Sequence, residues 1–411
     1  MNRASNRANR IMIFTSSYPY GNGEQFFEDE LNLFVTHGYV VTIQPYYYGH
    51  NKNPRIVPKG VKALKPLARF ISVNGIIDNW IIINGLIRYA IKDLRWSMQN
   101  HKRQGLKWRL RQIAIAVLGA PNLQIEDGND ILYFYWGTGA SYYIPFIKKQ
   151  NNRKNRNSTK IACRFHGSDL YEELHCGKLP LQPEIVMNSD IVVAISEFGR
   201  NYIEKKYFKK VYCNRLGVMN HLGKGQPSSD NVFRIVSCSS IIPLKRVDKI
   251  AEVVACLGNN VQWIHFGDGA ERSKVEEKIK KAGIENQCIL AGKLDRKEIM
   301  NYYVSNPCDL FINLSETEGI PVSIMEAYSF GIPALATDVG GVAEIVLPDL
   351  LIEANDEIER IVAKIDFFRD KWQGNRYFLR EEVYSIWQRD FCSEKNFMEL
   401  ESILVQNIDK P

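Results

Sequence analysis

Glu318 and Glu326 lie eight positions apart, across a segment whose composition reads as a strand, a turn and a helix start. The run 309–314 is apolar enough for a buried strand. Ser315, Glu316, Thr317, Glu318 and Gly319 read as the turn. Pro321 suits the first helical position, where its fixed φ helps and its missing N–H has no intrahelical partner. Glu318 then sits in the loop and Glu326 in the second helical turn. The N–H groups near Val322 and Ser323 point at whatever the loop encloses, and such a helix start favours an anion, most often phosphate. Carboxylates beside it suit sugar hydroxyls, which donate hydrogen bonds to them. An anion site flanked by hydroxyl acceptors describes a nucleotide-sugar pocket. The same residues also fit a plain helix start whose acids complement the dipole. On the turn alone both readings stay open.

Residues in such positions need a frame of parallel strands and helices. Strand-like runs at 11–15, 39–44, 131–135, 160–164, 190–194 and 211–213 alternate with helical patterns in the first half. Runs at 233–238, 261–266, 287–290, 309–313 and 333–336 do so in the second. The alternation argues for an α/β protein of two doubly wound Rossmann-like halves. Residues 221–231, rich in Gly, Pro, Ser and Asn, read as the linker. The expected division is 1–221, 232–378 and a helical C-terminal segment, 379–411. In doubly wound sheets ligands bind beyond the carboxyl ends of the strands. The polar and glycine-rich segments fall there: 16–23, 166–169, 239–245, 267–269, 292, 315–319 and 338–341.

Composition sets the limits. The chain has 411 residues, enough for about two to three domains. Its hydrophobic fraction of 45% and charged fraction of 24% are those of a globular protein. The eight cysteines form no C-x-x-C pair, so neither a zinc site nor a disulfide framework is expected. The apolar run 11–14 is too short for the core of a signal peptide, and no stretch reaches the length of a membrane span. A cytoplasmic location is expected. The net charge of +7 is uneven: residues 51–119 hold fourteen Lys and Arg against Asp78 and Asp93, so +12, which leaves −5 for the rest.

At this point a family resemblance joins the reading. Glu318 and Glu326 match the E-x7-E element of the retaining glycosyltransferases of family 4, which have the two-domain GT-B fold. Gly331, Pro333, Asp338, Gly340, Gly341 and Glu344 continue the match, and it covers most of residues 232–346. In the first half it is carried by Ser17 to Pro19, Gly21 to Glu24, Phe165 to Asp169, and Ala194 to Glu197. The resemblance implies two domains facing a cleft, with a C-terminal helix crossing back to the N-terminal domain.

It also implies roles. Glu326 would accept hydrogen bonds from the ribose hydroxyls and Glu318 would contact the donor sugar. Backbone N–H groups of Gly319, Ile320, Pro321 (through its neighbours) and Val322 would line the sugar and diphosphate. Lys245 matches the lysine that neutralises the leaving nucleoside diphosphate. The arginine usual five positions earlier is Ser240 here, so one phosphate clamp is replaced. Ser240 can still donate a hydrogen bond, and Arg246 could supply charge. His166 would bind a sugar hydroxyl near the reaction centre. Asp169 and Ser196 are candidates on the acceptor side, Asp169 also as an orienter of its loop. Gly23 opens a loop whose backbone can approach phosphate or acceptor. Gly267 fits a tight turn or a ligand contact equally. Gly292 begins the segment that would read the nucleobase, and nothing there separates a UDP-sugar from a GDP-sugar. No metal site and no cofactor besides the nucleotide-sugar donor are expected. A phosphorylase would need a pyridoxal phosphate lysine context, which is not identified.

Residues 51–119 lie outside the resemblance. There Trp80, Ile81 to Ile83, Leu86, Ile87, Leu94, Trp96, Leu106, Trp108 and Ile113 alternate with Arg88, Lys92, Arg95, Lys102, Arg103, Lys107, Arg109 and Arg111. Basic helices with tryptophan suit an anionic membrane surface. Nucleic acid would suit the charge, but no nucleic-acid motif accompanies it. A helix pair with a solvated basic face is the remaining reading. Membrane contact implies a lipid-linked or glycan acceptor and a peripheral position on the inner face of the cell membrane. The expectation is a retaining, metal-independent glycosyltransferase. From another class, a catalytically weak scaffold of a glycan-assembly complex is the alternative.

Overall fold

The structure is a computed structural model that describes residues 9–21, 24–48, 53–67, 80–100, 104–119, 123, 125, 128–153 and 159–408. Two compact units emerge, one of Met1–Asn214 with Phe397–Pro411 and one of Arg215–Asn396. Residues 221–231, expected as a linker, therefore fall inside the second unit. The expected boundary at 379 falls inside a long helix, Ile358–Ile386.

Among the described residues, the first unit holds a seven-stranded parallel sheet in the order β3-β2-β1-β4-β5-β6-β7. The strands are β1 (Arg10–Thr15), β2 (Val40–Pro45), β3 (Lys62–Ala63), β4 (Ile131–Phe134), β5 (Lys160–Phe165), β6 (Ile191–Ala194) and β7 (Tyr212–Cys213). Central strands of such a sheet are covered on both faces, which is why Ile11 to Phe14 and Ile131 to Phe134 are apolar without alternation and fully buried. Phe14 of β1 stacks on Phe134 of β4 at 4.1 Å between ring centroids. The helices α1 (Phe27–Thr36), α2 (Trp80–Gln99), α3 (Leu106–Gly119), α4 (Ile144–Arg153), α5 (Gln182–Asn188) and α6 (Glu197–Tyr207) connect them. Residues 397–408 close this unit: Phe397 packs edge-on against Phe34 of α1, and Glu401 pairs with His37 at 2.9 Å.

The second unit repeats the plan with a six-stranded parallel sheet in the order β10-β9-β8-β11-β12-β13. Its strands are β8 (Phe233–Cys238), β9 (Val261–Phe266), β10 (Cys288–Gly292), β11 (Leu310–Asn313), β12 (Ala334–Thr337) and β13 (Leu351–Ile352). Between them run α7 (Val247–Cys256), α8 (Arg272–Ala282), α9 (Arg296–Ser305) and α10 (Val322–Ser329), and α11 (Ile358–Ile386) follows the sheet. A capping box of Asp295 and Glu298 fixes the start of α9. β3 and β13 were not legible as strands. Each is a two-residue edge strand with one neighbour, too short to carry a period.

In both sheets the strand order reverses beside the first strand, between β1 and β4 and between β8 and β11. Loops leaving those pairs diverge and open the ligand crevice of this fold class.

The helical region 80–119 departs from the expected lipid-facing set. Arg109 is fully buried, its guanidinium bound to Asp93 at 2.9 Å and to Ser97 at 2.6 Å. Lys178 reaches the same Asp93 at 2.8 Å, and both cations lie over the Trp96 ring. Ile113 belongs to the core. Arg109 is thus internal as the counter-charge of buried Asp93, Ile113 is internal by apolar packing, and Trp96 is half-buried beneath the two cations. Lys102 and Arg103 lie outside the described residues, as do the side chains of Trp80 and Leu86.

Candidate functional site

In the second unit the site grows from the β8–β11 adjacency. Lys245 lies on the loop after β8, in a short 3-10 turn opened by Pro243. Glu318 lies on the loop after β11. Because β8 and β11 pair in parallel, residues 73 positions apart meet, and Lys245 Nζ bonds Glu318 Oε1 at 2.5 Å. Asn313, the last residue of β11, donates to the same oxygen at 3.3 Å. The loop is held from behind by the segment after β12. Gly341 N–H donates to the Gly319 carbonyl at 2.8 Å, and Gly340, at φ 59°, lies so close that a Cβ there would meet the Glu318 carbonyl oxygen at 1.9 Å.

The start of α10 completes this cluster. Pro321 is its N-cap, and no side chain caps it. The first N–H groups of a helix have no intrahelical carbonyl, so Val322 and Ser323 present donors at the positive end of the dipole. Ile320 and Pro321 are buried, so their side chains serve the core and only their backbone borders the loop. Glu326 accepts from Arg296 Nε at 2.8 Å. A cation, two carboxylates and a helix start together can hold a charged group next to a hydroxyl-bearing one.

Arg246 is a correction. Its side chain donates to the Leu314 carbonyl, to the Ala354 carbonyl at 2.7 Å and to the Ser315 carbonyl at 3.3 Å. Burial pushes its guanidinium below the usual arginine range. Its guanidinium ties the loops after β11 and β13 together. Ser240 is exposed on the loop after β8. Gly267 is held by backbone: its N–H donates to the Gly292 carbonyl at 2.8 Å, and a Cβ on it would lie 1.8 Å from the Ser239 carbonyl oxygen. The tight-turn reading accounts for Gly267, while a Cβ on Gly292, at φ 75°, would meet only the Arg272 guanidinium, at 3.9 Å.

The first unit assembles a second cluster at the β1–β4 adjacency. Glu24, on the loop after β1, accepts from the N–H groups of Ser16, Ser17 and Tyr18 at 2.8–2.9 Å. Trp136, just after β4, donates its indole N–H to Glu24 at 2.6 Å. The indole lies 4.1 Å from the ring of His166, between centroids, and Tyr135 and Phe26 border the same ring. His166 is 5% exposed, and among the described residues neither ring nitrogen has a hydrogen-bond partner. Its Nδ1 faces the Asp169 carboxylate at 3.6 Å, beyond hydrogen-bond range, so packing against the aromatic rings and this charge hold the buried imidazole.

Asp169 and Ser196 take other parts than acceptor contact. The Asp169 carboxylate is buried and bound by the backbone N–H groups of His166 at 2.7 Å and Gly137 at 2.6 Å, so it clamps the loop. Ser196 is fully buried and caps α6, accepting from Gly199 N–H at 2.9 Å. Gly23 lies outside the described residues.

Sequence reasoning missed Asn313, Arg296, Trp136 and His265. Asn313 had a signal, a polar residue ending an apolar strand. Arg296, 30 positions from Glu326, had none. His265 sits under the loop after β8 in a chain of bonds: Trp263 Nε1–H to Ser237 Oγ at 2.8 Å, Ser237 to His265 Nδ1 at 2.8 Å, and His265 Nε2 to the Ser239 carbonyl at 3.1 Å. The Ser239 carbonyl only accepts, so Nε2 carries the proton, and in the neutral ring Nδ1 accepts from the Ser237 hydroxyl. Burial lowers the ring's pKa to about 4.

Residues 223–379 match the model of the family described as glycosyl transferases group 1. The match is to that segment, which makes up most of the second unit. The glycosyl transferases group 1 match includes Lys245, Glu318 and Glu326. N-acetyl-alpha-D-glucosaminyl L-malate synthase of Bacillus anthracis is 27% identical over 310 residues, 68% of this chain and 75% of that one. The O-antigen biosynthesis glycosyltransferase WbnH of Escherichia coli is 30% identical over 147 residues, 35% of this chain and 40% of that one. The chain thus spans half or less of the length of several curated relatives it matches. Among solved structures, Anabaena HepE in complex with UDP and glucose is similar over 97% of this chain and all of that one, with a TM-score of 0.65 and 15% identity. That likeness, with the two parallel sheets, shows the GT-B fold of two Rossmann-like units.

Proposed function

We propose that the chain is a retaining glycosyltransferase that moves a sugar from a UDP- or GDP-sugar to a lipid-linked or polysaccharide acceptor, in surface glycan biosynthesis of the bacterial type. The observation that carries the reading is the group of Lys245, Glu318 and Glu326 around the uncapped start of α10. In this reading Glu326, oriented by Arg296, receives the ribose hydroxyls and Glu318 the donor sugar. Lys245 and the N–H groups of α10 stabilise the leaving diphosphate. The acceptor oxygen bonds to the anomeric carbon on the face from which the diphosphate leaves. The acceptor proton passes to the departing phosphate oxygen, and His166 binds a sugar hydroxyl. Lys245 and α10 take the charge-neutralising part, so the transfer proceeds without a divalent cation. The names of the relatives, an O-antigen biosynthesis glycosyltransferase and an N-acetylglucosaminyl malate synthase, favour glycosyl transfer as the reaction class. A peripheral position on the inner membrane face is part of the same reading. Among the described residues no helix is long and apolar enough to cross a membrane.

A second reading, a weakly active scaffold of a glycan-assembly complex, draws on Ser240 and on the engagement of Arg246 with backbone carbonyls. One experiment addresses both. Thermal unfolding is followed with UDP, GDP, ADP or CMP, with and without a chelator, and donor hydrolysis is assayed in parallel. A bound nucleotide at a hundredfold excess over Kd stabilises by about 2.7 kcal/mol. A shift with one nucleotide, insensitive to chelator and lost in Glu326→Ala, with slow hydrolysis of the matching sugar nucleotide, is expected. A shift without hydrolysis favours the scaffold, and no shift with any nucleotide refutes the donor site.

A further inference from the structure

We infer that the outward face of α2 docks on an anionic lipid surface. The inference deepens the membrane reading above, and rests on it, by naming the face. From Ile87 onward α2 is amphipathic in an inverted sense. Its polar residues Asp93 and Ser97 face inward onto Arg109. Its apolar residues Ile87, Ile91, Leu94 and Met98 face outward, 49%, 43%, 44% and 61% exposed. Their spacing of four, three and four places them in one row, about 16 Å long at 1.5 Å per residue. A surface helix ordinarily turns such a row to the core.

The charge beside the row identifies its occupant. Arg88, Lys92 and Arg95 are exposed and each follows a member of the row by one position. Lys92 also pairs with Glu184. The lone acid of α2, Asp93, is buried against Arg109 and Lys178, and α3 contains no Asp or Glu. Exposed Lys107, Trp108 and Arg111 of α3 extend the basic, aromatic character. Nucleic acid would meet the cations and leave the apolar row in water. A second copy would set two basic rows against each other. A surface with phosphate at one depth and acyl chain just below it satisfies both rows at once.

The test is cosedimentation of the full chain with phosphatidylcholine vesicles and with vesicles also containing phosphatidylglycerol, at low and high salt. Two surface variants accompany it, Ile91→Ser with Leu94→Ser, and Arg88→Glu with Arg95→Glu. The wild type is expected to bind only the anionic vesicles and to be released by salt. Each basic residue at an anionic surface is worth about fivefold in partitioning, so the charge variant should lose more than about 25-fold. The apolar variant should lose at least about tenfold. Circular dichroism and the nucleotide-induced thermal shift should be unchanged in both. Equal binding to neutral vesicles, no binding to either, or variants that bind like the wild type would each overturn the inference. So would a wild-type dimer that the apolar variant converts to monomer, which would assign the row to a second copy. Loss of the nucleotide shift in the wild type with vesicle binding intact would defeat the donor-site reading alone.

Discussion

Gly340→Ala separates a loop that holds Glu318 from one that merely passes it. Gly340 has φ 59°, and a Cβ built there meets the Glu318 carbonyl oxygen at 1.9 Å, against the 3.0 Å below which real Cβ atoms essentially never come. The two backbones must therefore part by about 1 Å. Left-handed backbone costs a residue with a Cβ about 1–2 kcal/mol, and overpacking adds about 1–3 kcal/mol. The variant should lose about 2–5 kcal/mol. Gly283→Ala is the control: φ is 67° and nothing lies within 4 Å, so only the backbone term of about 1–2 kcal/mol applies. For a unit of this size each kcal/mol lowers Tm by about 2–4 °C. Gly340→Ala should thus melt lower than the control by about 2–12 °C by differential scanning calorimetry. A reacting group misplaced by about 1 Å can cost about 100-fold in turnover, so sugar-nucleotide hydrolysis should fall by that order in Gly340→Ala and be unchanged in Gly283→Ala. Equal melting and equal turnover in the two variants would refute the argument that this close approach sets the position of Glu318.

His265 should titrate near pH 4 by histidine NMR, as the Nε2–H tautomer, with its resonance assigned by its absence in His265→Gln. Its folded pKa of about 4 lies below the ordinary 6.5. The stabilisation is therefore complete above pH 6.5 and is lost as pH falls from 6.5 through 4. The shift corresponds to about 3 kcal/mol, which urea unfolding of wild type and His265→Gln across that window should show as a smaller pH dependence in the variant. Arg296→Ala should weaken nucleotide binding about tenfold or more, since it removes a charged partner of Glu326; calorimetric titration giving unchanged affinity would detach Arg296 from the site. Arg246→Ala should instead lower stability by about 2–4 kcal/mol, through carbonyls left without their donor, and leave nucleotide affinity at the wild-type value.

The α/β class, the two halves and all strands longer than two residues were written in local sequence, because buried parallel strands are apolar on both faces and separate cleanly from amphipathic helices. The helix start at Pro321 and the glycine-rich ends of β9 and β12 were equally local. Glu318 and Glu326 stood out as carboxylates around a helix start, which is a local pattern, whereas Lys245 and His166 stood out only through the resemblance of their segments to the glycosyltransferase family. What needed tertiary structure was which loops meet. Lys245 and Glu318 are brought together by the pairing of β8 with β11, and Glu24 and Trp136 by that of β1 with β4. Strand order depends on long-range packing, which no short window records. The same dependence removed Arg246 and Ser196 from the site. An arginine beside a phosphate-binding lysine, or a serine after a strand, has the right chemistry in one dimension. Only in three are the carbonyls beyond β11 and the N–H of Gly199 seen to occupy them. Charge alone likewise suggested a basic membrane-facing insertion between 51 and 119, yet its Arg109 is buried on Asp93 while Ile87, Ile91, Leu94 and Met98 are turned outward. Composition determined that this region is basic and apolar. Burial, a property of the folded chain, decided which of those residues face water.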